Sequence, residues 1–176
     1  MLSNKVCSAA VFSNEYTACC LSYSDTNNQI AFVMPNDIEK FEKAREGEIY
    51  EIMRSLSQNF PEKRSVTFPK FSVESSVNMV QQLRKLGLNL PFSCDANFSK
   101  MAKGKFYVSD AIHKAVVKVD ENGTEATAAT AIAATFCCCG PFDEPRPVVI
   151  DKPFYFSILG RYKLPLFFGK ITNPKY

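Results

Sequence analysis

From Ala126 to Phe142 the sequence ATAATAIAATFCCCGPF carries no charged residue. This stretch constrains the fold more than any other part of the chain. Thr, Gly140 and Pro141 interrupt it too often for a membrane span, which needs roughly 20 apolar residues in a row. Its Ala and Thr do not build the one-sided stripe of an amphipathic helix. Segments that read as strands lie on both sides of it. The chain is therefore expected to carry a long uncharged loop between two strands, for which an ordinary globule offers no reason.

The segment before the loop, FYVSDAIHKAVVKVD over 106–120, has strong strand character. A two-residue period puts Ala111, His113, Ala115, Val117 and Val119 on one side and Lys114 and Lys118 on the other. His113 is thus expected on the core-facing side, as a buried, hydrogen-bonded structural residue. After the loop, VVIDKPFYFSIL and KLPLFFGKI read as two apolar strands joined at Gly160-Arg161-Tyr162-Lys163.

Upstream, residues 16–34 read as a hairpin turning at Ser24-Asp25-Thr26-Asn27-Asn28, a cluster of turn formers. Pro35-Asn36-Asp37 stops the second strand and caps a helix carrying Ile38 and Phe41, which Gly47 interrupts. A second helix places Ile49, Ile52, Met53 and Leu56 on one face. Residues 64–74 are expected to form one strand, with Pro69 marking an edge position, a kink or a bulge. Ser75 and Ser76 are expected to cap the next helix, whose end Gly87 terminates. Residues 94–103 read as a short helix or turn.

Lys plus Arg number 21 against 18 Asp plus Glu, a net charge of +3 with no basic cluster, so no nucleic-acid footprint is expected. No membrane span is expected, and MLSNKVCSAAVF does not make a convincing secretory signal. The 7 cysteines include the neighbours Cys19-Cys20 and Cys137-Cys138-Cys139, and an odd number leaves at least one thiol unpaired in a monomer. With no C-x-x-C and only 1 histidine, neither a metal site nor a cofactor is expected.

In the order in which they occur, several motifs resemble those of the serpins, the serine-protease inhibitor family. They are Phe68-Pro69-Lys70-Phe71, Leu86-Gly87, Asn97-Phe98-Ser99 and Val108-Ser109-Asp110-Ala111-Ile112-His113-Lys114-Ala115. Glu121-Asn122-Gly123-Thr124-Glu125-Ala126-Thr127-Ala128-Ala129-Thr130 is similar to the family's hinge. Val148-Val149-Ile150-Asp151-Lys152-Pro153-Phe154-Tyr155-Phe156 is similar to its signature after the reactive loop. Phe168-Gly169-Lys170 and Asn173-Pro174 are similar to its ending. The resemblance runs from about residue 16 to the end as a C-terminal portion of a serpin domain, and leaves residues 1–15 uncertain.

The resemblance implies an α+β fold of mostly antiparallel sheets with several helices and an exposed reactive-centre loop, here truncated. Its partner would be a serine protease, with a cysteine protease as the alternative. The family's usual spacing from Glu121 reaches Cys137, making Cys137–Cys138 the scissile bond, with Phe136 as a chymotrypsin-like alternative. The hinge would comprise Glu121, Gly123, Thr124, Glu125, Ala126, Thr127, Ala128, Ala129 and Thr130. Lys70, His113, Pro153 and Phe154 would be structural, Lys70 pairing with Glu121 where the loop leaves the sheet.

Thr124, Ala126, Ala128, Thr130 and Ile132 alternate on one face of an inserting strand, and a charge there would be left unsatisfied inside the sheet. No residue of the chain is expected to be catalytic. A Cys–His hydrolase using the loop thiols and His113 is the other class weighed, and a core-facing histidine cannot serve it. Two functions stay open: a suicide-substrate inhibitor, or a non-inhibitory serpin-like interaction or remnant protein. The strand at 106–120 would offer an exposed edge for self-association. Extracellular location follows from the family, with a cytoplasmic one as the alternative.

Overall fold

A computed structural model describes residues 2–25, 27–120, 123–124 and 145–174. The chain divides into two compact units, one made of Met1–Phe71 with Lys118–Tyr176 and the other of Ser72–Val117.

Among the described residues, the first unit is built on a seven-stranded sheet. Its strands are β1 (Leu2–Phe12), β2 (Tyr16–Ser22), β3 (Gln29–Pro35), β4 (Glu62–Phe68), β8 (Val148–Val149), β9 (Phe154–Leu159) and β10 (Pro165–Ile171). The order across the sheet is β10-β9-β3-β2-β1-β4-β8. All neighbours are antiparallel except β4 and β8, which run parallel through Val66↔Val148 and Thr67↔Val149. β1 divides its length between two partners. Ser8–Phe12 pair with β2, Leu2–Ser8 pair with β4, and Ser8 alone has a partner on each side.

The expected hairpin forms as β2–β3, from Tyr16↔Pro35 to Ser22↔Gln29. Asp25 closes its turn by accepting from the Asn28 backbone N–H at 3.1 Å and from the Asn28 side-chain amide at 2.7 Å. Asp37 caps α1 (Ile38–Arg45), its carboxylate accepting from Lys40 N–H at 3.0 Å. A 3-10 turn over Glu46–Glu48 leads into α2 (Ile49–Leu56). Phe41, Ile49, Met53 and Leu56 pack on Ala18, Cys20, Ala31, Val33 and Tyr155, which fills one face of the sheet. The opposite face is aromatic. Phe32 lies 5.1 Å from Phe68 and 5.8 Å from Phe154, and Phe71 lies 4.9 Å from Phe156. Because β3 and β4 are not neighbours in the sheet, the Phe32–Phe68 contact requires the sheet to curl over this face.

Three sequence expectations are corrected. Residues 64–74 are not one kinked strand: β4 ends at Phe68 and β5 (Phe71–Asn78) belongs to a different sheet. Proline has no N–H to give to a ladder, and here that ends the pairing instead of bulging it. Residues 148–159 likewise make two strands, β8 and β9, parted at Ile150-Asp151-Lys152-Pro153. Ser75 and Ser76 do not cap a helix, since β5 runs through them to Asn78. The Asn78 side chain accepts from Val80 N–H at 3.1 Å and so starts α3 (Val80–Lys85). Gly87 ends α3 as expected, with φ +94 and its N–H on Arg84 O at 2.9 Å.

The second sheet has the order β5-β6-β7, with β6 (Ile112–Asp120) and β7 (Gly123–Thr124). The strand read over 106–120 begins only at Ile112. Asn78 Nδ2 donates to Asp110 at 2.8 Å and Met79 N–H to Ala111 O at 2.7 Å, so the chain just before β6 bonds to the turn after β5.

Candidate functional site

The uncharged segment leaves one strand pair and returns at another. On the near side, β7 runs antiparallel to the end of β6 through Val119↔Thr124 and Asp120↔Gly123. The chain thus starts back alongside β6 as a strand. Val117 and Val119 are buried and Ala115 half-buried, while Lys114, Val116 and Lys118 are exposed, which is the expected two-sided pattern.

His113 departs from that pattern. It shares the side of Ala115 yet is exposed, as are its neighbours Ile112 and Lys114. A period of two fixes which side a residue points to, not how far the cover over that side extends. His113 is therefore no buried structural histidine, and burial gives no argument against a role for it.

On the far side, β8 is held by β4, and Ile150 N–H donates to Thr67 O at 2.8 Å. Just ahead of β8, Arg146 O accepts from Arg64 Nη1 at 3.3 Å. The Arg146 guanidinium lies 4.3 Å from the centre of the Phe12 ring and that of Arg64 lies 5.8 Å from it. Arg64 also pairs with Glu62. Of the residues expected to be structural, Phe154 is buried in the aromatic face, Pro153 is half-buried and Lys70 is exposed.

Glu121, Glu125, Ala126, Thr127, Ala128, Ala129, Thr130, Phe136, Cys137 and Cys138 lie outside the described residues, as does the partner expected for Lys70. Gly123 and Thr124 are placed by the β7 ladder. Phe12, Arg64 and Arg146 were not anticipated. A signal was present for one of them: Arg64 shares strand parity with Val66 and Phe68, a lone cation in an apolar stripe.

Burial raises the Cys20 thiol to about 12, and burial together with Cys20 pushes Cys19 up as well. Both are inert hydrophobes at neutral pH. Among the described residues no cluster of His, Cys, Asp and Glu could hold a metal ion. No helix among them is long and apolar enough to cross a membrane.

Comparison with known proteins gives a consistent result. The family model described as "Serpin (serine protease inhibitor)" matches residues 1–174. A serine protease inhibitor of Cyanea capillata is 35% identical over 160 residues, covering 88% of this chain and 41% of that protein. The plasma serine protease inhibitor of Bos taurus is 36% identical over 140 residues, covering 74% and 34%. Among solved structures, a highly specific serpin of the insect Tenebrio molitor matches with a TM-score of 0.68 at 26% identity, over 98% of this chain and 45% of that one. Human thyroxine-binding globulin matches with a TM-score of 0.68 at 28% identity, over 99% and 46%. The chain therefore spans less than half the length of these relatives.

Proposed function

Because the chain belongs to the serpin family, we propose that it carries the bait loop, the hinge and one flank of the receiving sheet of a serine protease inhibitor. The bait is the uncharged segment, with Cys137–Cys138 as the bond presented and Phe136 as the alternative for a chymotrypsin-like enzyme. The hinge is Glu121 and Gly123 through Thr130. The protease supplies the nucleophile. Its serine attacks the Cys137 carbonyl, the peptide bond to Cys138 breaks, and the new amino terminus departs while the acyl bond remains.

The β6–β7 register carries this reading. Its two pairs start the hinge as a strand beside β6. If insertion continued this register along β6, it would set Ala126 opposite Val117, Ala128 opposite Ala115 and Thr130 opposite His113. These small residues would then share the side on which Val117 is buried. On that register Glu125 would fall opposite Lys118, which is exposed, where opposite charges facing each other across a ladder are favourable.

A specific observation favours a second, non-inhibitory reading for the 176-residue chain itself. An inserted strand needs ladder partners on both of its edges, and among the described residues this sheet holds only β5, β6 and the two residues of β7. On the side away from β5, Ile112–Val117 have no strand beside them among the described residues. Such an edge is a template for another chain, and we take it to drive self-association. The plasma inhibitor among the relatives supports an extracellular setting.

Incubation of the chain with chymotrypsin-, elastase- and trypsin-like enzymes tests both readings. The expected result is cleavage by the chymotrypsin- or elastase-like enzyme inside residues 132–144, mapped by mass spectrometry, without an SDS-resistant complex, the trypsin-like enzyme serving as the control that finds no Lys or Arg there. Absence of cleavage in that window removes the bait function. A near-stoichiometric SDS-resistant complex shows that the chain traps by itself and removes the non-inhibitory reading.

A further inference from the structure

We propose that Arg64 and Phe12 form a clamp on Arg146 that fixes the far leg of the loop and so decides which bond the loop presents. The positioning role rests on the bait function argued above, whereas the clamp itself stands on its own geometry.

The two ends of the segment are held by different means. At the near end the described restraint is a ladder of two residue pairs. At the far end side chains take part. Arg64 Nη1 donates to the Arg146 carbonyl at 3.3 Å. The Phe12 ring faces the Arg146 guanidinium at 4.3 Å, within the range of a cation–π contact. β8 begins two residues later and is paired to β4, the strand that carries Arg64. One strand thus grips the returning chain by its backbone ladder and by a guanidinium.

The placement of Arg64 argues for a positional role. Its side chain is 7% exposed, on the sheet face that holds Val66 and Phe68. Its Nε and the hydroxyl of Ser8, which lies on the same face of β1, are buried without a hydrogen-bond partner among the described residues. A buried guanidinium with an unmet donor is a poor source of stability, and apolar replacements of similar shape are often neutral or better. Two guanidiniums converging on one ring also repel each other, and Glu62, on Arg64, offsets only part of that. What the arrangement does supply is a fixed direction for the chain at Arg146, since a guanidinium donates in a rigid planar fork.

Arg64→Met keeps the side-chain volume and removes the donors. Arg146→Ala removes the stacked cation from an exposed residue and leaves its carbonyl in place. Hydrogen exchange of the 176-residue chain is the first readout. In the double variant the amides of Val148 and Ile150, which face β4, should exchange about tenfold faster or more, with those of β2 and β3 unchanged. Rates within about twofold of the parent chain, or equal acceleration in β2 and β3, would overturn the clamp.

Loop cleavage by a chymotrypsin-like enzyme is the second readout. Cuts that centre on one bond in the parent chain should spread over neighbouring bonds in the double variant, and Arg64→Lys should restore part of the selectivity. Faster exchange with an unchanged cleavage pattern would overturn the positioning role. If the parent loop is not cut at all, the bait function fails, and the exchange data still decide whether the clamp exists.

Discussion

Gly169 offers a sharp test of the aromatic face. A Cβ at this position would stand 2.6 Å from Phe156 Cε1 and 2.7 Å from Cζ. Carbon atoms in good contact sit at roughly 3.5–4.0 Å, so Gly169→Ala forces a displacement of about 1 Å. The Phe156 ring has little room to give. It is 2% exposed, its centre is 4.9 Å from that of Phe71, and its strand is held between β3 and β10. Overpacking of this kind costs about 1–3 kcal/mol. Urea unfolding followed by circular dichroism should show the midpoint falling with the slope unchanged.

Phe156→Leu removes the two offending atoms and destabilises on its own by about 1–3 kcal/mol. In the double variant the alanine methyl would occupy space the ring has vacated. Its loss should then fall short of the sum of the single losses by about 1 kcal/mol, inside the range seen for residues in contact. Strict additivity, within about 0.5 kcal/mol, would mean that the ring and the glycine do not meet as described. A neutral Gly169→Ala would do the same.

Other outcomes follow from the same geometry. Hydrogen bonds from Lys170 and then Tyr155, each at 2.6 Å, hold the Glu42 carboxyl below its ordinary range. A depressed folded-state value stabilises above the unfolded one, so Glu42→Gln should lower the urea midpoint at pH 7. The gap from the parent should close as the pH falls below about 4, and a gap that persists there refutes the linkage. A thiol reagent at pH 8 should modify exposed Cys94 in the native chain and reach Cys19 and Cys20 only on unfolding, as peptide mapping would show. Ala128→Asp sets a charge on the side of the hinge meant to face the sheet, so light scattering should show less association than in the parent chain. A parent chain that is already a monodisperse monomer at tens of micromolar argues against the open edge of β6.

The elements readable in the sequence are those whose signals are local. Asp25 and Asn28 turn β2 into β3, Asp37 caps α1, and the apolar spacing of α2 matches the buried Ile49, Met53 and Leu56. β1 gave no such signal. It is paired on both sides, and buried Ser8 and Ala9 are adjacent, so no polar–apolar alternation develops. Pro69 and Pro153 were legible as irregularities, but nothing near them says that the chain changes partner strands there. The alternation of Ala and Thr proposed as the hinge was legible as a pattern, because it needs only neighbouring residues. The far anchor was not, because Phe12, Arg64 and Arg146 come from distant parts of the chain and meet only when β1, β4 and β8 lie side by side.

The divided pairing of β1 also bears on the order in which the chain can assemble. β2–β3 and β9–β10 are hairpins whose closure spans only short turns. Pairing of Leu2–Ser8 with β4 brings together segments separated by both helices, and β8 reaches β4 only across the whole of the second unit. Closing long loops before their contacts reward it makes such steps slow. Ser8 is the single residue through which the locally formed half of the sheet is joined to the late half. Until that junction closes, the β2–β3 hairpin and β4 each present a bare edge, so the interval before β1 docks is when the nascent chain is most open to pairing with the wrong neighbour.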